Sequence, residues 1–239
     1  MGETGFQRLR SSSVLVAGLG GVGIHCASAL ARSGVGKLYL VDFDQISPSS
    51  LNRNPFAGLA DVERTKAEFT CSTLSALCPD TECVPMEVFI SREYLEDIGL
   101  PGGVDAVADA IDSLNPKTQL LEHCVTRGIP VFSSMGAAGR RDPSMVRTGD
   151  ISRTERCPLA RMVRKYLKRR GVSGGIECVW SVEDPVEALP PDDEPVLQRR
   201  GRTRNALPSL ITLPGVFGYS LAQMIIDRLA VEAEPSRSE

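Results

Sequence analysis

The 239-residue chain has only two histidines, His25 and His123, and its seven cysteines (26, 71, 78, 83, 124, 157 and 178) form no C-x-x-C pair. A structural zinc site needs clustered thiolate or imidazole ligands, and this supply offers none. An odd, scattered set of thiols also argues against a disulfide framework and reads as reduced, mostly buried cysteines of a cytoplasmic protein. The net charge of −3 excludes a polycation, so any contact with nucleic acid must come from a local patch. No basic-then-apolar signal opens the sequence, and Phe6 stands where a myristoylation motif wants Ser or Thr. Residues 205–226 carry no charge, but Pro208, Pro214, Gly215, Gly218 and Gln223 interrupt them. That pattern fits a core loop followed by a helix, with no membrane span expected.

What is present begins at residue 14. Val14–Ala17 is a short β-branched-rich run suited to a buried parallel strand, and Gly18, Gly20 and Gly23 follow at the spacing of a dinucleotide fingerprint. Gly21 lies inside the same Gly-Leu-Gly-Gly-Val-Gly turn. The glycines supply a tight turn, close approach to phosphate and close helix–strand packing, and the following helix N-terminus favours an anion. Strand-like and helix-like segments then alternate, which predicts an α/β, Rossmann-like, mostly parallel sheet with helices on both faces. Strands are expected near 14–17, 37–41, 83–89, 104–111, 130–134, 145–148 and 177–182. Helices are expected near 22–33, 62–77, 116–127, 158–170 and 216–231. With 42% hydrophobic residues, one domain over 1–239 is expected. Residues 184–208 hold five prolines and a charged run, and are expected to form an exposed, mobile loop.

Asp42, at the end of the second expected strand, stands where a ribose-binding acid belongs. Alone it would suggest a dehydrogenase using NAD. Asp44, Asn52, Arg53 and Lys66 follow within a short span, and two cations suit a triphosphate better than a pyrophosphate bridge. At an effective dielectric near 20, a unit charge pair about 4 Å apart gains roughly 4 kcal/mol before desolvation. Asp109-Ala-Ile-Asp112 closes an apolar strand whose end faces the same crevice. A carboxylate there, Asp112, can hold Mg²⁺ against phosphate oxygens. The bland alternative for Asp112 is capping of the next helix.

These motifs resemble the ATP site of the ubiquitin-activating-like adenylyltransferases, which include the ThiF and molybdopterin-synthase-activating branches. Ala29–Gly36, Ser133–Pro143, Val179–Pro185 and Pro208–Gly218 are similar to segments of the tRNA threonylcarbamoyladenosine dehydratase branch. The resemblance implies an ATP-binding set of Gly18, Gly20, Gly21, Gly23, Asp42, Asp44, Asn52, Arg53, Lys66 and Asp112. Catalysis would rest on Arg53, Lys66 and Asp112. It implies that a threonyl carboxylate beside the tRNA anticodon attacks the α-phosphate of ATP, and that loss of the adenylate closes a ring. It also implies a homodimer and a sulfur-relay or cysteine-desulfurase partner. Relatives carry an N-terminal helix with arginines that reach the partner's ATP site. Here the chain is expected to start almost at the first strand, with Arg8 and Arg10 available. The alternatives are an activator of the C-terminal Gly-Gly of a ubiquitin-like sulfur carrier, and an ATP-binding module without catalysis.

The substrate side is legible as charge. Over 158–170, Leu159, Met162, Val163, Tyr166 and Leu167 make one apolar stripe, and Arg161, Arg164, Lys165 and Lys168 make a cationic one. Residues 147–170 hold nine Lys or Arg against Asp150 and Glu155. That local excess is what phosphate-backbone binding needs, so tRNA is the expected partner. A second cluster, Arg199–Arg204, falls in the expected loop. Cys157, just before this helix, is the one cysteine placed for a catalytic thiol; ring closure by a nucleophile carried on the substrate requires none.

Overall fold

The computed structural model describes residues 2–97, 99–186 and 209–231. The expected loop beyond Val186, with its Arg199–Arg204 cluster, lies outside the described residues.

Seven strands form one sheet: β1 (Ser13–Ala17), β2 (Lys37–Val41), β3 (Glu82–Met86), β4 (Ala106–Asp109), β5 (Val131–Ser134), β6 (Val146–Asp150) and β7 (Glu177–Ser181). Their order is β3-β2-β1-β4-β5-β7-β6. All neighbours pair in parallel except β6, which runs antiparallel to β7 at the edge. The helices are α1 (Gly2–Ser11), α2 (Gly21–Arg32), α3 (Lys66–Leu77), α4 (Arg92–Asp97), α5 (Leu114–Thr126), α6 (Pro158–Lys168) and α7 (Thr212–Ala230).

Alternation along the strands sorts the core into two layers. Val14 and Val16 join Leu38, Leu40, Ala106 and Ala108 under α2 and α7. Leu15 and Ala17 join Val41 and Val107 under α4, α5 and α6, where Leu95, Leu120 and Val163 are buried. With both faces covered, strands read as continuous apolar runs, which is why they were visible in the sequence.

The expectation that the chain starts almost at the first strand is corrected: residues 2–11 form a helix. Gly2 and Gly5 weaken the helical signal, but the fold gives the C-terminal half of α1 partners. Leu9 is fully buried, its carbonyl accepts the Gly36 amide at 3.0 Å, and Arg8 Nη1 donates to the Ala230 carbonyl at 3.2 Å. The six-residue α4 is too short to show a period. α3 starts at Lys66 rather than 62, because Thr65 caps it by accepting the Glu68 amide. α7 starts at Thr212 rather than 216, with Pro214 in its first turn, where a missing N–H breaks no intrahelical bond. β3 stops at Met86 rather than 89.

Candidate functional site

The strand order reverses direction between β1 and β4, and in such sheets ligands bind outside the strand ends at that switch point. Both sequence motifs meet there: the glycine turn after β1 and the Asp109–Asp112 turn after β4. Gly18 has φ of +86°, and a Cβ on it would lie 2.9 Å from the Ala110 carbonyl oxygen. A Cβ on Gly23 would sit 1.7 Å from the Gly18 carbonyl oxygen, an impossible approach. Gly20, the N-cap of α2, has nothing within 4 Å of its Cβ direction. A Cβ on Gly21 would meet the Arg53 side chain, 3.1 Å from Cδ. The turn is therefore rigid behind and open in front, with the α2 amides at its mouth.

Asp42 emerges from β2 beside this turn. Its Oδ2 accepts the Leu19 amide at 2.7 Å and its Oδ1 the Asp44 amide at 2.9 Å. Burial raises its carboxyl pKa, while the Lys66 ammonium and the two amides oppose the rise. Lys66, at the start of α3, places Nζ 3.1 Å from Asp44 Oδ2 and 4.0 Å from Asp42 Oδ2. Burial works against its ammonium, but Asp42, Asp44 and Asp112 together hold the pKa above the usual lysine value. Burial lowers the Arg53 guanidinium, and Asp112 opposes that shift. Arg53, Lys66 and Asp112 thus share one electrostatic neighbourhood over the glycine turn.

Arg53 Nη1 donates to the Ser49 carbonyl at 2.5 Å and to Asn52 Oδ1 at 3.1 Å. Asn52 Nδ2 donates to the Ser209 carbonyl at 2.8 Å, so its amide anchors the segment leading into α7. Asp112 is exposed, with Ser113 Oγ 3.2 Å from its Oδ1; Ser113, not Asp112, is the N-cap residue of α5. Among the described residues no three His, Cys, Asp or Glu side chains gather as metal ligands.

Sequence reasoning named Asp109 as part of the turn motif but missed the partners of its carboxylate, Lys117 and Ser133. The Asp109 carboxylate accepts from Lys117 Nζ at 2.5 Å and from Ser133 Oγ at 2.6 Å, all three being fully buried. The available signal was position: Lys117 falls on the buried face of α5 with Leu120 and Leu121.

On the far side, Arg161, Lys165 and Lys168 are exposed along α6. Arg164 is not equivalent. It is half-buried and donates to the Thr154 carbonyl at 2.6 Å and to the Thr154 hydroxyl. Arg140, also missed, is buried and donates to the carbonyls of Glu183 at 2.8 Å, Gly136 and Arg156. It ties the ends of β5 and β7 to the entrance of α6. Cys157 is buried at the N-cap of α6, where a hydroxyl is well tolerated. Cys157→Ser is expected to keep most of the wild-type turnover and a melting temperature near that of the wild type, since Cys157 makes no side-chain cap bond that could be lost and Ser is a preferred cap residue. Steady-state assay of the folded variant checks this.

Comparison with known proteins agrees with this fold. The chain is 37% identical to tRNA threonylcarbamoyladenosine dehydratase 2 of Saccharomyces cerevisiae, over 96% of this chain and 54% of that protein. It is 37% identical to the Bacillus subtilis tRNA threonylcarbamoyladenosine dehydratase, over 78% of this chain and 73% of that protein. The chain thus spans about half the length of the yeast relative. The structure of the Escherichia coli enzyme TcdA in complex with ATP superposes with a TM-score of 0.81 at 27% identity, covering 95% of this chain and 89% of that one. The ThiF family model matches residues 1–238, and on that match the chain belongs to the ThiF family.

Proposed function

We propose that this chain is an ATP-dependent enzyme that adenylates the threonyl carboxylate of threonylcarbamoyladenosine next to the tRNA anticodon and thereby drives its dehydration to a cyclic form. The observation that carries the reading is the convergence of Arg53, Lys66 and Asp112 over the Gly18–Gly23 turn. The α2 amides and Arg53 would receive the phosphate chain, and Lys66 would donate to it from its place beside Asp44 and Asp42, with the Asp42 carboxylate oriented by the Leu19 and Asp44 amides. Asp112 would hold Mg²⁺, which when bound offsets phosphate charge. Hydroxide is a poor leaving group, and adenylation replaces it with a phosphate ester. The closing nucleophile is already part of the substrate, so proximity supplies the equivalent of roughly 10⁵–10⁸ M without an enzyme thiol.

Incubation with ATP and tRNA from a strain lacking this activity, followed by mass spectrometry of the nucleosides, tests the proposal. The expected product is lighter than threonylcarbamoyladenosine by one water. Unchanged nucleoside beside adenylation of a sulfur-carrier C-terminus would replace this reading with the sulfur-carrier one. A homodimer in the cytoplasm belongs to the same proposal.

The α6 stripe is the proposed tRNA contact. Because Arg164 braces Thr154, the charge reversal that reads RNA contact without disturbing the fold is Arg161→Glu with Lys168→Glu. Each phosphate contact contributes about −0.7 to −0.9 to the slope of log affinity against log salt, so the double variant should flatten it by about 1.4–1.8. ATP affinity should stay unchanged. A salt titration giving the same slope for both proteins would move the tRNA contact elsewhere.

A further inference from the structure

Asp109, Lys117 and Ser133 are shut off from solvent, and the chemistry proposed above uses none of them. Burying an ammonium with a carboxylate carries a desolvation cost that well-packed apolar residues would avoid, so stability alone does not account for the group. Its geometry is complete on one side. Lys117 Nζ lies 2.5 Å from Asp109 Oδ2 and 3.1 Å from Ser133 Oγ, and Ser133 Oγ donates to the same Oδ2 at 2.6 Å.

The other carboxylate oxygen shows what is being held. Asp109 Oδ1 accepts the Ile111 amide at 3.1 Å. That amide belongs to the turn between β4 and α5, one residue before Asp112. On the opposite flank the Ala110 amide donates to the Ala17 carbonyl at 2.8 Å, and the Ala110 carbonyl fills the space where Gly18 lacks a Cβ. The turn is gripped from β1 and from beneath, and Asp112 is the first side chain to leave that grip for the crevice.

We infer that Lys117 is a positioning residue: by fixing the Asp109 carboxylate it holds the Ile111 amide and sets where the Asp112 carboxylate stands against Arg53 and Lys66. The catalytic consequence rests on the adenylation reading; the local ordering of the turn does not.

Lys117→Met keeps the length of the side chain and removes the ammonium. NMR hydrogen exchange should show the Ile111 amide opening about tenfold faster or more, with the β1 amides of Leu15 and Val16 at wild-type rates. In ATP–pyrophosphate exchange the variant should lose about tenfold in rate, with the KM for ATP held. Combined with Asp112→Ala, it should lose no more than Asp112→Ala alone, since groups acting through one another are not additive. Equal acceleration at Ile111, Leu15 and Val16, or losses that multiply in the double variant, would overturn the inference. If Lys117→Met does not fold, Ser133→Ala removes one donor and leaves the ion pair, and the same two readouts apply at smaller amplitude. A wild-type protein without ATP–pyrophosphate exchange would instead sink the adenylation reading, and the Ile111 exchange rate would still decide the positioning role.

Discussion

Lys66→Ala is expected to slow ATP–pyrophosphate exchange by about ten- to hundredfold, because a charge-assisted contact to phosphate contributes ~1.5–3 kcal/mol, and Asp112→Ala by a comparable factor, because it removes the carboxylate that would hold Mg²⁺ against the phosphates. The two should part company in stability. Asp112 is exposed, so its loss should leave the melting temperature near wild type. The Lys66 side chain is 16% exposed and lies against Asp42 and Asp44. Its removal leaves two carboxylates facing each other at a half-buried site, and a lowered melting temperature should accompany the lost activity. Raising the pH does not reproduce the effect within the working range, since those carboxylates hold the ammonium above the usual lysine pKa. Calorimetry that found tight NAD binding and none for ATP with Mg²⁺ would defeat the whole assignment.

Gly23→Ala should be the most damaging added methyl among the described glycines, and Gly20→Ala should separate ligand space from folding. The Gly23 Cβ would stand 1.7 Å from a backbone carbonyl oxygen, Gly18 O, with Ala110 Cβ at 3.4 Å. Neither neighbour can swing aside, so α2 must shift as a body away from β1. Overpacking of this kind costs about 1–3 kcal/mol even where side chains can yield, and more where backbone meets backbone. Loss of soluble protein or a large fall in melting temperature is expected. Gly20 has φ of −72° and open space at its Cβ, so alanine there should fold normally. Its methyl would occupy the mouth of the turn, and weakened ATP binding at wild-type stability is the expected result. Equal melting temperatures for both variants, measured by scanning calorimetry, would mean the turn yields more than this packing allows.

The sheet was legible because each central strand is buried on both faces and so reads as an unbroken apolar run. The nucleotide cradle was legible because its glycines are forced by close backbone approach, and close approach leaves a spacing in the sequence. What stayed hidden was whatever depends on a partner far along the chain. α1 is a poor helix by composition and exists because Leu9, Arg8 and Gly36 give it a seat. Lys117 looks like any helical lysine until β4 and β5 bring Asp109 and Ser133 to it. Arg164 matches its neighbours in period and charge, and only the turn at Thr154 distinguishes it from Arg161 and Lys168. The capping alternative for Asp112 turned on a single residue of register, which Ser113 decides.

The long contact between α2 and α7 has a consequence for the order of assembly. The glycine turn is made near the start of the chain, yet the apolar layer that backs α2 is completed by Leu213, Phe217, Leu221 and Ile225, each essentially inaccessible to solvent. A Cβ at Gly218 would lie 2.5 Å from the Val22 carbonyl oxygen, so the last described helix presses directly on the helix that faces the phosphates. Contacts this distant in sequence form late, after the local βαβ units have closed. During synthesis the earlier strands can therefore pair as they emerge while the nucleotide cradle stays soft, and binding competence waits for α7 to dock on α2.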